Sequence, residues 1–315
     1  MTAFLIVAPS WPTDIWRQAM MTAAPALDVR VWPDMGAPED ISYAGAWLPP
    51  PGVLAGLPRL RVMFSLGAGV DALLRDETLP RNVPLVRVSD ADLTQRMSEY
   101  VVLQVLWHHR QQRRIDDNQR RKVWDSFATH AAGDLRVGVM GLGVLGSDAA
   151  GKLAMMGFAV AGWSRTRKQI AGVQSFAGWD EFDAFLARSD VLVSLLPATA
   201  ETRGIINYAT LRKLARNGPF GAPILINAGR GAQQVEADIL RALDDGTLHA
   251  ATLDVFETEP LPAHSPLWTH PRVVVTPHAA ADSDPAAICR YIAGQIARLE
   301  RCEALQNVVD RQRGY

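Results

Sequence analysis

A strand–glycine-turn–helix pattern constrains this chain more than any other feature of its sequence. The segment "VGVMGLGVLGSDAAGKLAMMGF" sets Gly141, Gly143 and Gly146 in G-x-G-x-x-G spacing between an apolar strand and a helical pattern. The first glycine permits the tight turn, the second lets a pyrophosphate approach the backbone, and the third lets helix and strand pack closely. Three glycines alone also suit a turn that only needs close packing. Within this strand–turn–helix context, whose helix N-terminus offers N–H groups to phosphates, they predict dinucleotide binding.

Short apolar runs separated by helix-length segments recur on both sides of the glycine turn. Such runs are typical of parallel strands buried on both faces. The pattern predicts an α/β protein with two doubly wound, Rossmann-like parallel sheets and an active-site cleft between the two domains. The first series is "FLIVAP" (4–9), "DVRVW" (28–32), "GAWLPP" (45–50), "RVMFSLG" (61–67) and "PLVRV" (84–88). The second series is "LRVGVMGLG" (135–143), "FAVAGWS" (158–164), "VLVSLLP" (191–197), "PILINAG" (223–229), "AATLDVF" (250–256) and "VVVTPHA" (273–279).

Helices are predicted at residues 14–24, at residues 93–124 as one long helix, and at about residues 285–304 after the capping sequence "DSDP". We interpret the polar half of the long helix, "HHRQQRRIDDNQRRK", as a solvated face. His108 and His109 belong to it, and adjacent residues point to different sides of a helix, so we expect no metal site there.

The charge balance argues against several classes of partner. The chain has 32 Lys and Arg against 33 Asp and Glu, a net charge of −1, which does not favour a nucleic-acid or acidic-membrane partner. We expect no membrane-spanning helix, and we interpret the first apolar run as a strand, not a signal peptide. Only two cysteines occur, Cys289 and Cys302, so we expect a reducing cytoplasm and no disulfide framework.

The strand after the glycine turn runs into "WSRTRK", where NAD-binding proteins usually carry an acid that accepts from the ribose 2′-OH. A carboxylate there would repel a 2′-phosphate, whereas Ser164 can donate to one and Arg165 can bind it with two N–H groups. Arg167 and Lys168 would add positive charge. The alternative is a basic surface turn without a ligand. We expect NADPH to be preferred, with NADH as a possible second cofactor.

Three further residues follow predicted strands at the ends where ligands of open α/β sheets gather: Arg230 in "INAGRG", Glu259 in "LDVFETEPLP" and His278 in "VTPHAA". Each alone has another explanation, namely a surface cation, a helix-capping acid and a core histidine. Together they supply what reduction of a 2-oxo acid requires. Arg230 can bind the carboxylate and carbonyl, His278 can give a proton, and Glu259 can orient the imidazolium and favour its charge.

With these motifs, the chain resembles the D-isomer-specific 2-hydroxyacid dehydrogenase family, and most of all its glyoxylate/hydroxypyruvate reductase A branch. Further marks are "SLGAGVD" (65–71), "MSEYV" (97–101), "LLPATAETRGII" (195–206) and "NVVDRQRGY" at the end of the sequence. The resemblance implies that Arg230 binds substrate and that Glu259 and His278 form the acid–base pair. It implies cofactor contacts at Gly141, Gly143, Val144, Leu145, Gly146, Ser164, Arg165, Lys168, Leu196, Pro197, Ala228 and Asp254, the last beside the nicotinamide amide. It implies substrate contacts at Trp47, at Arg230 and His278, and at the backbone N–H groups of Leu66, Gly67, Ala68 and Gly69, which glycine helps to converge on an anion.

The resemblance also implies a domain map, an oligomer and a substrate. Residues 1–95 plus 282–315 would form a discontinuous substrate-binding domain and residues 96–281 the dinucleotide-binding domain. A homodimer would form near the long helix, with Trp124 as the candidate to reach a partner's active site. The expected reaction is NADPH-dependent reduction of glyoxylate or hydroxypyruvate. Two alternatives stay open: a dinucleotide-sensing, corepressor-like binding protein, and an NAD-dependent family member with another 2-oxo acid.

Overall fold

The computed structural model describes residues 2–314, which form two compact units. One unit comprises the chain up to Leu93 together with the residues from Asp282 onward, and the other comprises Thr94–Ala281. Each unit contains one parallel sheet with helices packed on it. No helix in the described part of the chain combines the length and apolar character needed to cross a membrane.

The first unit has a five-stranded sheet in the order β2-β1-β3-β4-β5, with every neighbouring pair parallel. Along β1, Leu5 packs into one hydrophobic cluster, whereas Phe4 and Ile6 pack into another on the opposite face. Both faces are therefore covered, as the continuous apolar runs predicted. The strands are β1 (Ala3–Val7), β2 (Asp28–Val31), β3 (Ile41–Ala46), β4 (Val62–Ser65) and β5 (Leu85–Val86).

The second unit has a seven-stranded parallel sheet in the order β12-β11-β10-β9-β6-β7-β8. Numbered within the unit, this is the doubly wound order 3-2-1-4-5-6 with one more strand at the edge. The order reverses between β6 and β9, so a crevice opens there at the carboxyl ends of the strands. The strands are β6 (Arg136–Met140), β7 (Ala159–Ser164), β8 (Val173–Ala177), β9 (Val191–Ser194), β10 (Ile224–Asn227), β11 (Ala250–Leu253) and β12 (Val273–Val275).

The helices connect these strands and cover their faces. The last helix opens as predicted, because the Asp284 carboxylate accepts from the Ala286 and Ala287 N–H groups and Pro285 stands in the first turn. The helices are α1 (Thr13–Ala23), α2 (Asp71–Leu74), α3 (Ala91–His109), α4 (Gln112–Arg120), α5 (Val144–Met155), α6 (Phe182–Ala187), α7 (Tyr208–Leu211), α8 (Glu236–Asp244) and α9 (Pro285–Glu300). Short 3₁₀ helices occur at Pro38–Asp40, Ala132–Asp134, Trp179–Glu181, Gly231–Gln233 and Pro266–Trp268.

The prediction of one long helix over residues 93–124 is wrong. Helix α3 ends at His109, and Gln111 adopts a left-handed conformation with φ 52° that breaks the helical path. A separate helix, α4, follows and ends at Arg120. The first half packs into the core, since Val101 and Val105 have no exposed surface.

The solvated interpretation of His108 and His109 is also wrong, because both side chains are buried. His108 Nε2 lies 2.8 Å from the hydroxyl of Thr252 on β11, and burial lowers the pKa of His108 to about 3. The His109 ring meets the ring of Phe158 edge-on at 5.3 Å between centroids. These histidines belong to the core of the second unit, and both stay neutral at physiological pH.

Two differences from the predicted strands have local reasons. Strand β3 ends at Ala46, within the predicted run at 45–50, because Leu48 has φ 47° and prolines follow that cannot donate to a sheet. Strand β8 was not predicted: it lies at the sheet edge, only partly buried, and mixes polar and apolar residues.

Candidate active site

The site residues predicted in the second unit follow its strands at one edge of the sheet. Gly141 follows β6, Ser164 ends β7, and Leu196 and Pro197 follow β9. Because all strands are parallel, their carboxyl ends share this edge. Arg230, Asp254 with Glu259, and His278 follow β10, β11 and β12. The glycine turn and these three groups therefore lie along the same edge of the sheet. Two strands, β9 and β10, separate β6 from β11, and neighbouring strands are about 4.8 Å apart.

The three glycines of the turn differ in what surrounds them. Gly141 has φ +100°, and a Cβ there would meet the Leu195 carbonyl oxygen at 2.8 Å. A Cβ on Gly146 would overlap the carbonyl oxygen of Gly141, so the first turn of α5 packs directly on the glycine turn. Gly143 has only open space where a Cβ would stand, and it precedes α5 with φ −75°. This open position at a helix N-terminus fits a pyrophosphate, so the residues present suit a dinucleotide.

The basic turn after β7 carries three exposed cations, Arg165, Arg167 and Lys168. The Ser164 hydroxyl donates to the Thr166 carbonyl at 2.8 Å, and the side chain is partly buried. The Arg167 guanidinium donates to the Ser175 carbonyl and pairs with Glu181.

His278 and Glu259 are in direct contact. His278 Nδ1 lies 2.7 Å from Glu259 Oε2, while the other carboxylate oxygen accepts from the Phe256 N–H at 3.0 Å. Both side chains remain partly exposed, at 41% and 35%. Because Nδ1 faces the carboxylate, Nε2 is the ring nitrogen that can serve a substrate.

The electrostatics of this pair favour a charged imidazolium. The hydrogen bond that the His278 ring donates to Glu259 raises the pKa of His278, against the opposing effects of burial and of the Arg230 charge. Burial of Glu259 opposes its ionisation, but the hydrogen bonds from His278 and the Phe256 N–H, with the charges of His278 and Arg230, outweigh it and lower its pKa. The pair is therefore an imidazolium–carboxylate over a wider pH range than an isolated histidine allows.

Arg230 lies on a turn fixed by two buried glutamines that sequence reasoning missed. Gln233 accepts from the Ser194 hydroxyl at 2.9 Å and donates to the Pro197 carbonyl at 3.1 Å. Gln234 accepts from Asn227 at 2.8 Å and donates to the Val255 carbonyl at 2.9 Å. The polar pair in "GRGAQQVE" was the available signal. These bonds tie the ends of β9, β10 and β11 together. Within the turn, Arg230 Nη1 donates to the Gly229 carbonyl at 2.8 Å.

Asp254 is buried, with 1% of its surface exposed, and it is surrounded by donors from the segment that carries His278. Its carboxylate accepts from the Ala279 N–H at 2.9 Å, the Ala280 N–H at 3.0 Å and the Thr276 hydroxyl at 2.6 Å. Tyr100 extends this network, since its hydroxyl lies 2.8 Å from that of Thr276. Neither Tyr100 nor Thr276 was singled out from the sequence.

The predicted anion-binding loop of the first unit requires one correction. The Leu66 N–H donates to the Ala46 carbonyl at 3.0 Å as part of the sheet, so it is not available to a substrate. The Ser65 hydroxyl lies within 2.8 Å of the Gly67 carbonyl and 2.7 Å of the Gly69 carbonyl. Both carbonyls therefore face the start of the loop. Within residues 2–314, no hydrogen bond uses the N–H groups of residues 67–69.

Trp47 lies against this loop. A Cβ on Gly67 would overlap the Trp47 indole, so the absence of a side chain at residue 67 allows this contact. Trp47 stacks on Trp11, which in turn stacks on the buried Trp16, with 5.1 Å between ring centroids in each pair. The stack fixes the indole beside the loop.

Trp124 lies beyond α4 and is 99% exposed. Around it, the Arg114 guanidinium pairs with Asp125 at 2.6 Å and lies 4.1 Å from the centroid of the Phe127 ring. The segment is thus tied to α4 while the indole faces solvent. Among the described residues, no cluster of three or more His, Cys, Asp or Glu side chains could hold a metal ion.

Comparison with known proteins gives consistent matches. The family model for the D-isomer specific 2-hydroxyacid dehydrogenase NAD binding domain matches residues 102–280. Glyoxylate/hydroxypyruvate reductase A from Enterobacter sp. (strain 638) is 45% identical over 316 residues, covering 98% of each chain. The NADPH-dependent glyoxylate/hydroxypyruvate reductase from Sinorhizobium meliloti, crystallised with NADP and sulfate, is 46% identical with a TM-score of 0.96 and full coverage of both chains.

A further solved structure agrees with these matches. The probable 2-hydroxyacid dehydrogenase from Rhizobium etli CFN 42, crystallised with NADP, HEPES and L(+)-tartaric acid, is 45% identical with a TM-score of 0.94, covering 100% of this chain and 99% of that one. The family model spans more than half of the chain, and the relatives match it from end to end. The chain belongs to the D-isomer-specific 2-hydroxyacid dehydrogenase family of oxidoreductases, and within it resembles the glyoxylate/hydroxypyruvate reductase A branch.

Proposed function

We propose that this chain catalyses the NADPH-dependent reduction of small 2-oxo acids, glyoxylate and hydroxypyruvate, to the corresponding 2-hydroxy acids. The observation that carries the proposal is the 2.7 Å contact between His278 and Glu259 at the sheet edge that also holds the glycine turn. The names of the similar reductases from Enterobacter and Sinorhizobium support the choice of substrates.

In the proposed reaction His278 Nε2 donates a proton to the carbonyl oxygen of the substrate. Glu259 holds the opposite ring nitrogen and keeps the imidazolium charged until the proton leaves. Arg230 binds the carboxylate and carbonyl oxygens through its planar fork of N–H donors. Trp47 and the backbone N–H groups of residues 67–69 belong to the proposed substrate site.

The residues around the glycine turn would hold the coenzyme, which when bound supplies the hydride. Ser164 and Arg165 would meet the 2′-phosphate, with Lys168 adding charge. In this proposal Arg167 contributes less to binding the 2′-phosphate, because its guanidinium already contacts Glu181 and the Ser175 carbonyl. Proposed contacts beyond the 2′-phosphate are with Gly141, Gly143, Val144, Leu145, Gly146, Leu196, Pro197, Ala228 and Asp254.

The proposal assigns substrate binding and coenzyme binding to different parts of the chain. Residues 1–95 with 282–315 would bind substrate, and residues 96–281 would bind coenzyme. The enzyme would be a cytoplasmic homodimer, to which Trp124 contributes its exposed indole. Sedimentation of the wild type and of Trp124→Ala tests this part, because a monomeric wild type would contradict it, and so would a Trp124→Ala variant with unchanged assembly and unchanged kinetics.

Steady-state kinetics with a panel of 2-oxo acids, each measured with NADPH and with NADH, tests the function. We expect turnover of glyoxylate and hydroxypyruvate with a preference for NADPH. Turnover confined to NADH and another 2-oxo acid would indicate an NAD-dependent family member. Tight coenzyme binding without turnover of any acid would instead indicate a dinucleotide-sensing binding protein.

A further inference from the structure

We propose that Tyr100 and Thr276 are positioning residues that hold the His278 segment in its proton-donating geometry by way of Asp254. The inference rests on the proposed function, since it gives His278 the role of proton donor. Tyr100 lies on α3, 176 residues from Thr276 in sequence, and their hydroxyl oxygens are 2.8 Å apart. Neither hydroxyl has a part in the reaction as proposed so far.

The direction of the hydrogen bonds follows from counting protons. The Thr276 hydroxyl has one proton and donates it to Asp254 Oδ1 at 2.6 Å. It can then only accept from Tyr100, whose phenol must be the donor. Burial raises the pKa of Tyr100, so the phenol keeps this proton at physiological pH. The chain of bonds therefore runs from Tyr100 through Thr276 to the Asp254 carboxylate.

Asp254 in turn fixes the backbone on both sides of the catalytic histidine. Its backbone carbonyl accepts from the His278 N–H at 2.8 Å. Its carboxylate accepts from the N–H groups of Ala279 and Ala280. With the Thr276 hydroxyl included, donors from residues 276, 278, 279 and 280 all converge on one buried side chain and its carbonyl.

The hydrogen bonds of Asp254 hold a segment whose backbone is strained at His278. His278 has φ 53°, a left-handed conformation that is uncommon for residues other than glycine. Such residues persist when surrounding bonds over-determine them. The conformation directs the imidazole towards Glu259, so loosening the segment would loosen that 2.7 Å contact as well.

The charged groups that face His278 define the expected effect on its titration. Glu259 and Asp254 favour the imidazolium, whereas Arg230 opposes it. The contact with Glu259 depends most on geometry, because hydrogen bonding weakens steeply with distance and angle. Removing the Tyr100 hydroxyl should therefore lower the pKa of His278 towards its ordinary value and reduce turnover without changing the reacting groups.

The test compares Tyr100→Phe and Thr276→Val with a matched control, Tyr208→Phe. Tyr208 also donates to a carboxylate, Asp245 Oδ2 at 2.6 Å, but does so at the surface beside α7. Two quantities are measured on the full chain: kcat with glyoxylate and NADPH, and the NMR titration of the His278 ring without coenzyme. The His278 signal is identified among the seven histidines by its loss in His278→Gln.

We expect Tyr100→Phe and Thr276→Val each to lower kcat about 3- to 10-fold, the worth of one neutral hydrogen bond, and to lower the pKa of His278. Thr276→Ser keeps the hydroxyl and should behave like the wild type. If the Thr276→Val chain does not fold, Thr276→Ser is the variant used to test residue 276. The double variant should cost no more than the larger single effect.

A His278 titration and kcat in Tyr100→Phe that match those of Tyr208→Phe would overturn the proposal. So would additive effects in the double variant, or a Thr276→Ser chain as impaired as Thr276→Val. If the wild type reduced no 2-oxo acid, the proposed function would fail. The NMR titration would still decide whether Tyr100 and Thr276 hold His278.

Discussion

At the scale of single residues, the proposed function makes the contact between His278 and Glu259 the control on when a proton would be available to the substrate. The carboxylate raises the pKa of His278, so the imidazolium persists to higher pH than in an isolated histidine. Reduction needs this protonated form, and kcat should fall as pH rises through the pKa of His278. If His278 is the proton donor, this contact should extend reductase activity towards higher pH than an isolated histidine would allow.

Replacing Glu259 by glutamine should move this loss of activity to lower pH. The amide can still meet the ring but no longer favours its charge, so the pKa of His278 falls and the high-pH limb of the kcat profile shifts with it. Glu257→Gln is the control, since Glu257 is exposed and its carboxylate accepts from the Glu236 N–H. A Glu259→Gln profile that coincides with this control would contradict the pairing.

Replacing Arg230 by lysine should not be a mild change. Lysine keeps the charge but loses the two-pronged geometry that matches a carboxylate. We expect kcat/KM for glyoxylate to fall roughly 10- to 100-fold, the equivalent of one charge-assisted hydrogen bond, while coenzyme affinity is maintained. Exposed Arg212→Lys serves as the control. Efficiency equal to that control would move substrate binding to other groups, such as the backbone at 67–69.

At the scale of elements, the proposed function divides coenzyme recognition between the end of β7 and the glycine turn. Ser164 ends β7, and Arg165 follows it at the exposed start of the basic turn. The glycine turn provides the open approach at Gly143 and the close packing at Gly146. Each part supports a prediction of its own.

Ser164→Asp combined with Arg165→Ala should reverse the coenzyme preference. Each charge-assisted bond contributes about 1.5–3 kcal/mol, and tenfold corresponds to about 1.4 kcal/mol. One or two such bonds predict a wild-type preference for NADPH of roughly tenfold to several thousandfold in kcat/KM. Arg167→Ala should change the preference much less, because Glu181 already holds that guanidinium. Equal use of NADH and NADPH by the wild type would leave the cations as an ordinary solvated turn.

Gly143→Ala and Gly146→Ala should separate binding from folding. Alanine at 143 meets open space and an ordinary φ of −75°, so stability should match the wild type while NADPH affinity drops. Alanine at 146 would overlap the Gly141 carbonyl, and overpacking of this kind costs about 1–3 kcal/mol of stability. Urea unfolding and coenzyme titration measure the two effects. Unchanged NADPH affinity in Gly143→Ala would contradict a pyrophosphate at this turn.

At the scale of the whole molecule, the sequence predicts the sheets well because their central strands are buried on both faces and read as continuous apolar runs. Strand β8 was missed because it is only partly buried and mixes polar with apolar residues. The break at Gln111 was missed because neither glycine nor proline marks it. The burial of His108 depends on Thr252, distant in sequence, which no local pattern reveals.

The same reasoning explains which parts of the site could be predicted. Local sequence motifs contain the glycine turn, Arg230, Glu259 and His278, and the residue types in each motif indicate its chemistry. The occupied N–H of Leu66 could not be predicted, because it depends on pairing between β3 and β4. Tyr100 was hidden for a similar reason, since its partner Thr276 lies at the other end of the second unit's sequence.

The most direct test of the account measures glyoxylate reduction with NADPH by the wild type and by His278→Gln, alongside NADPH binding to both. The wild type should turn over, with NADPH preferred to NADH. The variant should bind NADPH normally and lose about 10²–10⁴-fold in kcat, the usual contribution of a positioned proton donor. A variant that kept more than about a tenth of the wild-type kcat would contradict proton donation by His278 and with it the central claim.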